Sequence, residues 1–313
     1  MKDPFQRPIK GLRISITQRC NLNCFYCHHE GESGASREMT VDEIIRIARI
    51  AHSLGIRRIK YTGGEPLLRE DLPEIIRRTV SLGMEDTAIT TNGSLLKEKA
   101  APLREAGLQR LNLSMPSLRP EVYSSLTGGR LNDILDGAAE ACRSGIEIKI
   151  NVVVMRRVND SETEAFIDFA RSIGGSLQFI ELEDLGLDDG LFDTYHADLR
   201  GLERAISGMA ERAVKREEMN RRARYSVRGT QVDVVRPVEN ADFCRACTRL
   251  RVTSDGRLKP CLMRSDNLVD ILGPMRRGHT DAYLKKLFQR AVALRSPYYP
   301  TASRSPRPPF RTQ

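Results

Sequence analysis

The stretch LRISITQRCNLNCFYC, residues 12–27, joins an alternating run of apolar and polar residues to three closely spaced cysteines. Alternation with a period of two is typical of a β-strand, so LRISIT predicts a strand over residues 12–17. Cys20, Cys24 and Cys27 follow this run with the spacing C-x3-C-x2-C. The sequence therefore predicts a strand that presents three thiols on the loop at its carboxyl end.

This strand is the first of six that alternate with helical runs. Apolar residues recur at helical spacing between the strands, and Thr40 with Glu43 makes the capping pattern that begins the first helix. Such alternation favours a parallel sheet covered by helices, so we expect an α/β fold, a partial (β/α)6 barrel of the TIM type. The predicted strands cover 12–17, 58–62, 87–93, 109–115, 146–155 and 176–182, and the predicted helices cover 40–55, 72–83, 95–107, 131–144 and about 160–173.

The alternation also separates the two faces of each strand. In the first strand, Arg13 lies on the face opposite to Leu12 and Ile14. We expect apolar faces to pack on the helices and polar faces to line the barrel, which directs Arg13, Lys60 and Lys149 inward. Active sites of such folds lie at the carboxyl ends of the strands. The loops that meet there contain the three cysteines, GGEP, TTNG and SMPS.

The composition limits the classes of partner. The chain has 313 residues and a net charge of +9, which suits a nucleic acid, an acidic membrane surface or a phosphorylated small molecule. It has no Trp and only 5% aromatic residues, which disfavours binding of single-stranded nucleic acid. Two runs of like charge, acidic at 181–198 and basic at 212–228, are expected to be solvated faces.

The location expected from the sequence is the cytoplasm. The chain has no run of 18 apolar residues, so no membrane span is predicted, and its start does not resemble a secretory signal. In a reducing compartment, clustered cysteines are more often metal ligands or catalysts than disulfides.

Three cysteines on one loop are too few for a structural zinc site, which takes four ligands. His28 or His29 is a candidate fourth ligand, although histidines in such a loop are more often exposed. A cubane cluster has four iron corners, so three thiolates would hold three and leave the fourth iron open to a small molecule. The spacing favours the cluster, with zinc as the alternative.

The spacing C-x3-C-x2-C, with Tyr26 before the last cysteine, resembles the radical S-adenosylmethionine superfamily, and TGGEP at residues 62–66 resembles its second motif. The resemblance implies a [4Fe-4S] cluster on Cys20, Cys24 and Cys27 whose open iron binds S-adenosylmethionine. It implies reductive cleavage of S-adenosylmethionine to methionine and a 5′-deoxyadenosyl radical. It also implies that the TGGEP glycines lie close to the methionine amino group.

A second set of cysteines, Cys244, Cys247 and Cys261, has the spacing C-x2-C-x13-C. Between Cys247 and Cys261, two alternating runs flank Ser-Asp-Gly, which predicts a β-hairpin that returns Cys261 to the other two. Cys142 lies alone on a predicted helix face and is expected to be a buried structural thiol.

Three further cysteines beside such a core resemble the GTP 3′,8-cyclase family of molybdenum cofactor biosynthesis, from about residue 5 to about residue 290. The resemblance implies conversion of GTP to (8S)-3′,8-cyclo-7,8-dihydroguanosine 5′-triphosphate, and a second [4Fe-4S] cluster that binds the guanine. The S-adenosylmethionine contacts assigned in this way are Tyr26, Gly64, Ser114 and Glu183. The GTP contacts assigned in this way are Arg13, Lys60, Thr90, Lys149, Arg249 and Arg251.

From this resemblance we expect GTP and an electron donor as partners, no nucleic acid and no membrane, with a homodimer as one compatible assembly. The expected domains are residues 1–220 as the partial barrel, 221–294 as an extension with the second cluster, and 295–313 as a basic, proline-rich tail without fixed structure.

Four features depart from the pattern of that family. Lys60 stands in place of Arg, SMPS in place of SLD, and Glu183 in place of Met. The chain ends PPFRTQ instead of Gly-Gly, which bears on how turnover is completed.

Two other hypotheses stay open on the sequence. A radical S-adenosylmethionine peptide maturase also has an auxiliary cluster, but its C-terminal domain generally carries more than three cysteines. A zinc-bearing, nucleic-acid-binding protein would account for the basic charge and the C-x2-C pair, but not for TGGEP or the strand-and-helix series.

Overall fold

The structure, a computed structural model, describes residues 1–32, 38–188, 190–217 and 219–298. Within these residues, twelve strands form one mixed sheet. The strands are β1 Gly11–Thr17, β2 Arg58–Gly63, β3 Asp86–Thr91, β4 Arg110–Ser114, β5 Glu147–Val154, β6 Ser176–Glu181, β7 Arg212–Lys215, β8 Ala223–Val227, β9 Thr230–Val235, β10 Arg249–Val252, β11 Arg257–Lys259 and β12 Val269–Asp270.

The sheet has the order β12-β11-β10-β1-β2-β3-β4-β5-β6-β9-β8-β7. β1 to β6 pair in parallel with their neighbours in the chain, and β10 and β9 continue the parallel pairing on the two sides. The outer strands at both ends pair antiparallel. Because the order is linear and ends in two edge strands, the barrel is open, which confirms the predicted α/β partial barrel.

Helices follow each of the six central strands. The α-helices of the described residues are α1 Val41–Ser53, α2 Leu72–Val80, α3 Leu96–Glu105, α4 Pro120–Thr127, α5 Leu131–Arg143, α6 Thr163–Ser172, α7 Leu191–Tyr195, α8 Arg200–Met209, α9 Ala241–Arg245, α10 Leu272–Arg276 and α11 Asp281–Ala293, and the 3-10 helices are His29–Gly31, Pro66–Leu68 and Met219–Arg221. The six predicted strands and five predicted helices are confirmed to within a few residues. No helix of this part of the chain is long and apolar enough to span a bilayer.

The local signals in the sequence have the expected physical basis. Thr40 Oγ1 accepts a hydrogen bond from the Glu43 N–H at 3.3 Å, and the Thr40 N–H donates to Glu43 Oε2 at 2.8 Å, so α1 begins with a complete capping box. Leu12, Ile14 and Ile16 of β1 are at most 2% exposed, and burial of such a side chain contributes about 1.5–3 kcal/mol. The apolar face of the strand therefore packs on the helices and leaves the polar face for the barrel interior.

The two charge runs are not simply solvated faces. Glu181, in the acidic run, is 3% exposed, lies 3.2 Å from His196 Nε2 and accepts a hydrogen bond from the Val238 N–H. Arg222, in the basic run, is 7% exposed. The prediction was wrong for Glu181 and Arg222, because the pairing of β9 with β6 brings these parts of the two runs to the barrel, whereas Arg212–Lys215 is exposed.

The tail predicted from residue 295 begins inside the fold. Arg295 is 5% exposed and donates hydrogen bonds to Asp3 Oδ2 at 2.9 Å and to the Cys247 carbonyl at 2.7 Å. The expected lack of fixed structure is therefore wrong for Arg295, because a buried carboxylate binds its guanidinium. Residues 299–313 lie outside the described residues, and the division at residue 220 stays a prediction.

Candidate active site

The first cysteine loop runs from the end of β1 to the 3-10 helix at His29–Gly31. The Cys27 N–H donates to the Cys24 carbonyl at 3.0 Å, so the chain turns back on itself there. Burial, together with the nearby thiols of Cys27 and Cys20, raises the pKa of Cys24 to about 12. These mutual effects mean that the loop holds its three thiols near one another.

This donor set fits a cubane cluster. Within the residues described, no three His, Cys, Asp or Glu side chains have the arrangement of a site for one metal ion. In a cubane each thiolate binds its own iron, so the sulfur atoms need not converge on one point. The thiols of Cys20, Cys24 and Cys27 are free and would hold three iron corners of a [4Fe-4S] cluster.

Tyr26 lies beside these thiols. Burial raises the pKa of Tyr26 well above its usual value, and the neighbouring Cys24 and Cys27 raise it further. Its ring packs edge-on against the Phe25 ring, with centroids 5.8 Å apart. The phenol therefore stays protonated and forms one wall of the cysteine loop, while its assignment to S-adenosylmethionine stays a prediction.

The glycines of TGGEP are required by the chain itself. The Gly64 N–H donates to the Thr17 carbonyl, and the Glu65 N–H donates to the Arg19 carbonyl, both at 2.8 Å. A Cβ on Gly64 would lie 2.2 Å from the Arg19 oxygen, far inside van der Waals contact. Gly63 has φ 144, where a side chain is strained. The end of β2 thus lies directly against the start of the cysteine loop.

Glu65 joins this motif to TTNG. Its buried carboxylate accepts hydrogen bonds from the Leu67 N–H, Thr91 Oγ1 and the Asn92 N–H at 2.7 to 2.9 Å. Asn92 Nδ2 in turn donates to Asn21 Oδ1 at 3.0 Å, next to Cys20. The ends of β2 and β3 are thereby fixed to the cysteine loop after β1, an organising role for Glu65 that the sequence analysis did not identify.

The structure places the predicted cations together on the inward face of the sheet. Arg13 of β1 is in register with Lys60 of β2 on one side and with Arg251 of β10 on the other. Lys60 donates to Asn112 Oδ1 at 3.0 Å. Burial lowers the pKa of Lys60 well below its usual value, and nearby positive charges, Arg13 foremost, lower it further. Such crowding of positive charge is suited to an anionic ligand.

Glu30, which the sequence analysis missed, is the anionic partner of two of these cations. Its carboxylate accepts hydrogen bonds from Arg251 and from Thr62 Oγ1, and lies 3.4 Å from Arg13 NH1. Burial acts to raise the pKa of Glu30, but the charges of Arg13 and Arg251 outweigh it and lower the pKa to about 2. A single acid in a loop carries no periodic signal that would have revealed this position.

A second buried carboxylate, Asp233 of β9, lies on the same inward face. Lys149 donates a hydrogen bond to it, and Arg216 NH2 lies 3.0 Å from its Oδ1. Arg222 reaches the neighbouring Gln178 Oε1 at 2.9 Å. Arg216 and Arg222 therefore add positive charge to the barrel interior, although their run of bases was predicted to be solvated.

The second cysteine set meets at the hairpin of β10 and β11. The Cys247 N–H donates to the Cys244 carbonyl at 3.1 Å, and both thiols act on the pKa of Cys261, so the hairpin returns Cys261 as predicted. Burial acts to raise the pKa of Cys247, but the charges of Arg249 and Arg295 outweigh it and lower the pKa. A lowered pKa favours the thiolate, which is the form that binds iron.

Several buried polar atoms have no hydrogen-bond partner within the described part of the chain, among them Arg13 Nε, Thr90 Oγ1, and Nε and NH2 of Arg216 on the inward face. Buried polar groups are nearly always paired, so each such atom indicates a missing ligand or water. Arg13 and Thr90 belong to the residues assigned to GTP by resemblance, whereas Arg216 was not assigned.

The remaining assigned residues lie around the same opening. Ser114 ends β4 opposite Asn151 of β5, and Glu183 follows β6 and acts electrostatically on Arg13 and Arg249. The structure thus brings the assigned residues to one side of the sheet, while their individual roles stay predictions.

Comparison with known proteins agrees with this geometry. Residues 14–170 match the model of the Radical SAM superfamily, and residues 175–301 match the model of Molybdenum Cofactor Synthesis C. A probable GTP 3′,8-cyclase of Methanothermobacter marburgensis is 43% identical over 301 residues, covering 95% of this chain and 98% of that protein. One from Thermococcus kodakarensis is 44% identical over 305 residues, covering 95% and 99%.

Among solved structures, Streptococcus suis SuiB bound to S-adenosylmethionine superposes with a TM-score of 0.60 at 18% identity. The match covers 81% of this chain and 58% of SuiB, so the chain spans less than two thirds of that protein. At this identity the likeness concerns the fold alone. By its two matched regions and its curated relatives, the chain belongs to the radical SAM superfamily and, within it, to the GTP 3′,8-cyclase family.

Proposed function

We propose that this protein is a GTP 3′,8-cyclase, which forms (8S)-3′,8-cyclo-7,8-dihydroguanosine 5′-triphosphate in the first step of molybdopterin synthesis. The observation that carries the proposal is that the three-thiol loop at the end of β1 and a set of buried and half-buried cations belong to one barrel. These cations outnumber their carboxylate partners Glu30 and Asp233, so a triphosphate would supply the remaining negative charge. Arg and Lys bind phosphate oxygens through charge-assisted hydrogen bonds.

Membership of the superfamily implies one [4Fe-4S] cluster and S-adenosylmethionine. When bound, they supply the 5′-deoxyadenosyl radical that removes a hydrogen atom from the substrate. Cys20, Cys24 and Cys27 would hold this cluster. The proposed S-adenosylmethionine contacts are Tyr26, Gly64, Ser114 and Glu183.

A second [4Fe-4S] cluster on Cys244, Cys247 and Cys261 is part of the proposal. Its support is the approach of the three thiols at the hairpin and the positive charge of Arg249, which stabilises a thiolate at Cys247. Three thiolates would again leave one corner open, and the proposed ligand of that corner is the guanine of GTP.

The cations of the inward face would hold the rest of the substrate. Arg13 and Arg251 flank Glu30, and Lys149 contacts Asp233, so these side chains are held in place before a ligand arrives. The proposed GTP contacts are Arg13, Lys60, Thr90, Lys149, Arg249 and Arg251. Arg251 is buried and the other five are half-buried, so their contact with water is limited, which strengthens each charge-assisted hydrogen bond.

The test is an anaerobic assay of the iron-reconstituted protein with GTP, S-adenosylmethionine and dithionite, which takes the place of the proposed electron donor. Mass spectrometry should find an isomer of GTP and stoichiometric 5′-deoxyadenosine. ATP in place of GTP, and the Cys24→Ser variant with GTP, are the controls and should give no cyclised product. A wild-type protein that cleaves S-adenosylmethionine but cyclises no GTP would favour the peptide maturase hypothesis. The homodimer stays a prediction for size-exclusion chromatography.

A further inference from the structure

Three consecutive residues after the first cysteine loop contact the hairpin that leads to Cys261. We call the residues that make these contacts the clasp. It consists of Glu30, Gly31 and Glu32 on the loop side and of Arg251, Ser254 and Lys259 on the hairpin side. The clasp joins segments that are more than 220 positions apart in the chain.

Lys259 is the centre of the clasp. It ends β11, two residues before Cys261, and is only 1% exposed. Its Nζ donates to the Gly31 carbonyl at 2.9 Å, the Arg264 carbonyl at 2.7 Å and Ser265 Oγ at 2.9 Å. An ammonium group has three donors, so all are used, and a buried ammonium that lost them would be strongly destabilised.

Gly31 brings the first cysteine loop into direct contact with the segment around Cys261, which we call the second cysteine loop. Its φ is +66, and a Cβ there would lie 2.7 Å from the carbonyl oxygen of Leu262, the residue after Cys261. The two backbones therefore approach as closely as a glycine permits, and Lys259 Nζ holds them there.

Glu32 and Glu30 secure the flanks of this contact. Glu32 Oε2 accepts hydrogen bonds from the Ser254 N–H at 2.9 Å and from Ser254 Oγ at 2.8 Å. Glu30 accepts a hydrogen bond from Arg251, which lies on β10, the strand that pairs with β11. The loop behind the first cysteines is thus fixed to the hairpin at three successive residues.

We propose that Lys259 is a positioning residue that, through Gly31, sets the separation of the two cysteine loops. The proposal rests on the proposed function, in which one substrate molecule lies between those loops. A displacement of about 1 Å between reacting groups can lower a rate on the order of a hundred-fold. Loosening the clasp should therefore lower the amount of cyclised GTP formed for each S-adenosylmethionine cleaved. Cleavage itself should continue.

The test compares Lys259→Met with wild type as reconstituted holoenzyme. Methionine keeps an apolar stem but cannot donate to Gly31. Lys97→Met is the matched control, because Lys97 lies on the outer helix α3 and pairs with the exposed Asp136. Two quantities are measured: cyclised GTP formed per 5′-deoxyadenosine, and hydrogen exchange of the amides of residues 28–32 and 262–266.

For Lys259→Met we expect S-adenosylmethionine cleavage without GTP to stay within about twofold of wild type. The yield of cyclised GTP per 5′-deoxyadenosine should fall at least about tenfold, and amide exchange in both segments should rise by a similar factor. Lys97→Met should match wild type in every measurement. An unchanged yield, or an equal loss of cleavage and cyclisation, would overturn the positioning role.

Ser265→Ala is the second variant if Lys259→Met does not fold. Ser265 Oγ accepts from Lys259 Nζ at 2.9 Å and donates to the Gly31 carbonyl at 3.3 Å. A yield of cyclised GTP lowered about threefold or more supports the proposal, and an unchanged yield overturns it. If wild type itself cyclises no GTP, the proposed function fails, and amide exchange still decides whether Lys259 holds the two loops together.

Discussion

The carboxylate of Glu30 is bonded to the guanidinium of Arg251 across 221 positions of the chain. The two side chains are 9% and 10% exposed, so the pair is largely removed from water. It fixes the loop behind Cys27 against β10 beside the proposed phosphate site. A phosphate that binds Arg251 therefore has to share this guanidinium with Glu30 or displace the carboxylate from it.

Arg251→Ala should weaken binding of GTP more than binding of guanosine, because the lost contact is expected to be with phosphate. A charge-assisted hydrogen bond contributes roughly 1.5–3 kcal/mol, which is about ten- to a hundred-fold in affinity. Isothermal titration of the anaerobic protein with each ligand measures the difference. Equal losses for nucleotide and nucleoside would place Arg251 away from the phosphates.

The single variant also leaves Glu30 with one cation fewer. We therefore compare it with the double variant Glu30→Gln with Arg251→Ala, which removes both charges of the pair. The double variant should recover stability lost by Arg251→Ala but should not recover GTP affinity. Recovery of both would mean that Arg251 acts only by neutralising Glu30.

Glu30 should also govern part of the acid denaturation of the apoprotein. Its pKa is about 2 in the fold against an ordinary value of 4.5, so between these values the unfolded chain binds more protons. The contribution is complete above about pH 4.5 and is lost as the pH falls towards 2. It amounts to roughly 3 kcal/mol. The free energy of unfolding, measured by urea titration between about pH 2 and pH 4.5, should fall less steeply with falling pH for Glu30→Gln than for wild type. Equal slopes for the two proteins would contradict this role of Glu30.

The strand-and-helix series could be predicted because its signals are local. Leu12 and Ile14 alternate with Arg13, and Thr40 with Glu43 caps α1 within four residues. The same alternation predicted that Arg13, Lys60 and Lys149 lie on the inward face of the sheet. Signals of this kind need no knowledge of distant partners.

The missed residues depend on distant pairing. Glu30 is buried because Arg13, Thr62 and Arg251 surround it, and none of these is near it in the chain. Arg222 lies in a run of bases that resembles a solvated face, and only the pairing of β9 with β6 brings its neighbourhood into the barrel.

Gly64→Ala should distort the first cysteine loop, since the added Cβ would lie 2.2 Å from the Arg19 carbonyl oxygen. Backbone has to move to relieve such a contact, and overpacking of this kind costs about 1–3 kcal/mol. Gly201→Ala is the control, because nothing lies within 4 Å of that Cβ position. The free energy of unfolding measured in urea and the iron content after reconstitution should both fall for Gly64→Ala and not for Gly201→Ala. A normal iron content in Gly64→Ala would show that the loop tolerates the backbone shift.

Thr90→Val should affect stability and binding in opposite directions. Thr90 Oγ1 is buried without a partner, so replacing the hydroxyl by a methyl group should leave the apoprotein unchanged or slightly more stable. If GTP is the missing partner, its affinity should fall about two- to tenfold. Thr91→Val is the neighbouring control: it removes the hydrogen bond to Glu65 and should destabilise the fold. Unchanged GTP affinity in Thr90→Val would remove Thr90 from the substrate contacts.

Cys261→Ala tests what the second cysteine set does. The thiol lies near Cys247 and Cys244 at the end of the hairpin, away from the first cysteine loop in sequence. If the second cluster binds guanine, the variant should retain the first cluster and should still cleave S-adenosylmethionine slowly without coupling to GTP. It should lose GTP binding and cyclisation. Cys142→Ala, on helix α5, is the control and should behave as wild type.

Spectroscopy of the wild-type protein separates a ligand site from an electron relay at this second cluster. A ligand site predicts that the signal of the second cluster shifts on addition of GTP and not on addition of ATP, because only guanine would bind the open iron. A relay predicts no dependence on the base. A Cys261→Ala protein that still cyclised GTP near the wild-type rate would remove the second cluster from the mechanism, and with it the assignment of guanine to that cluster.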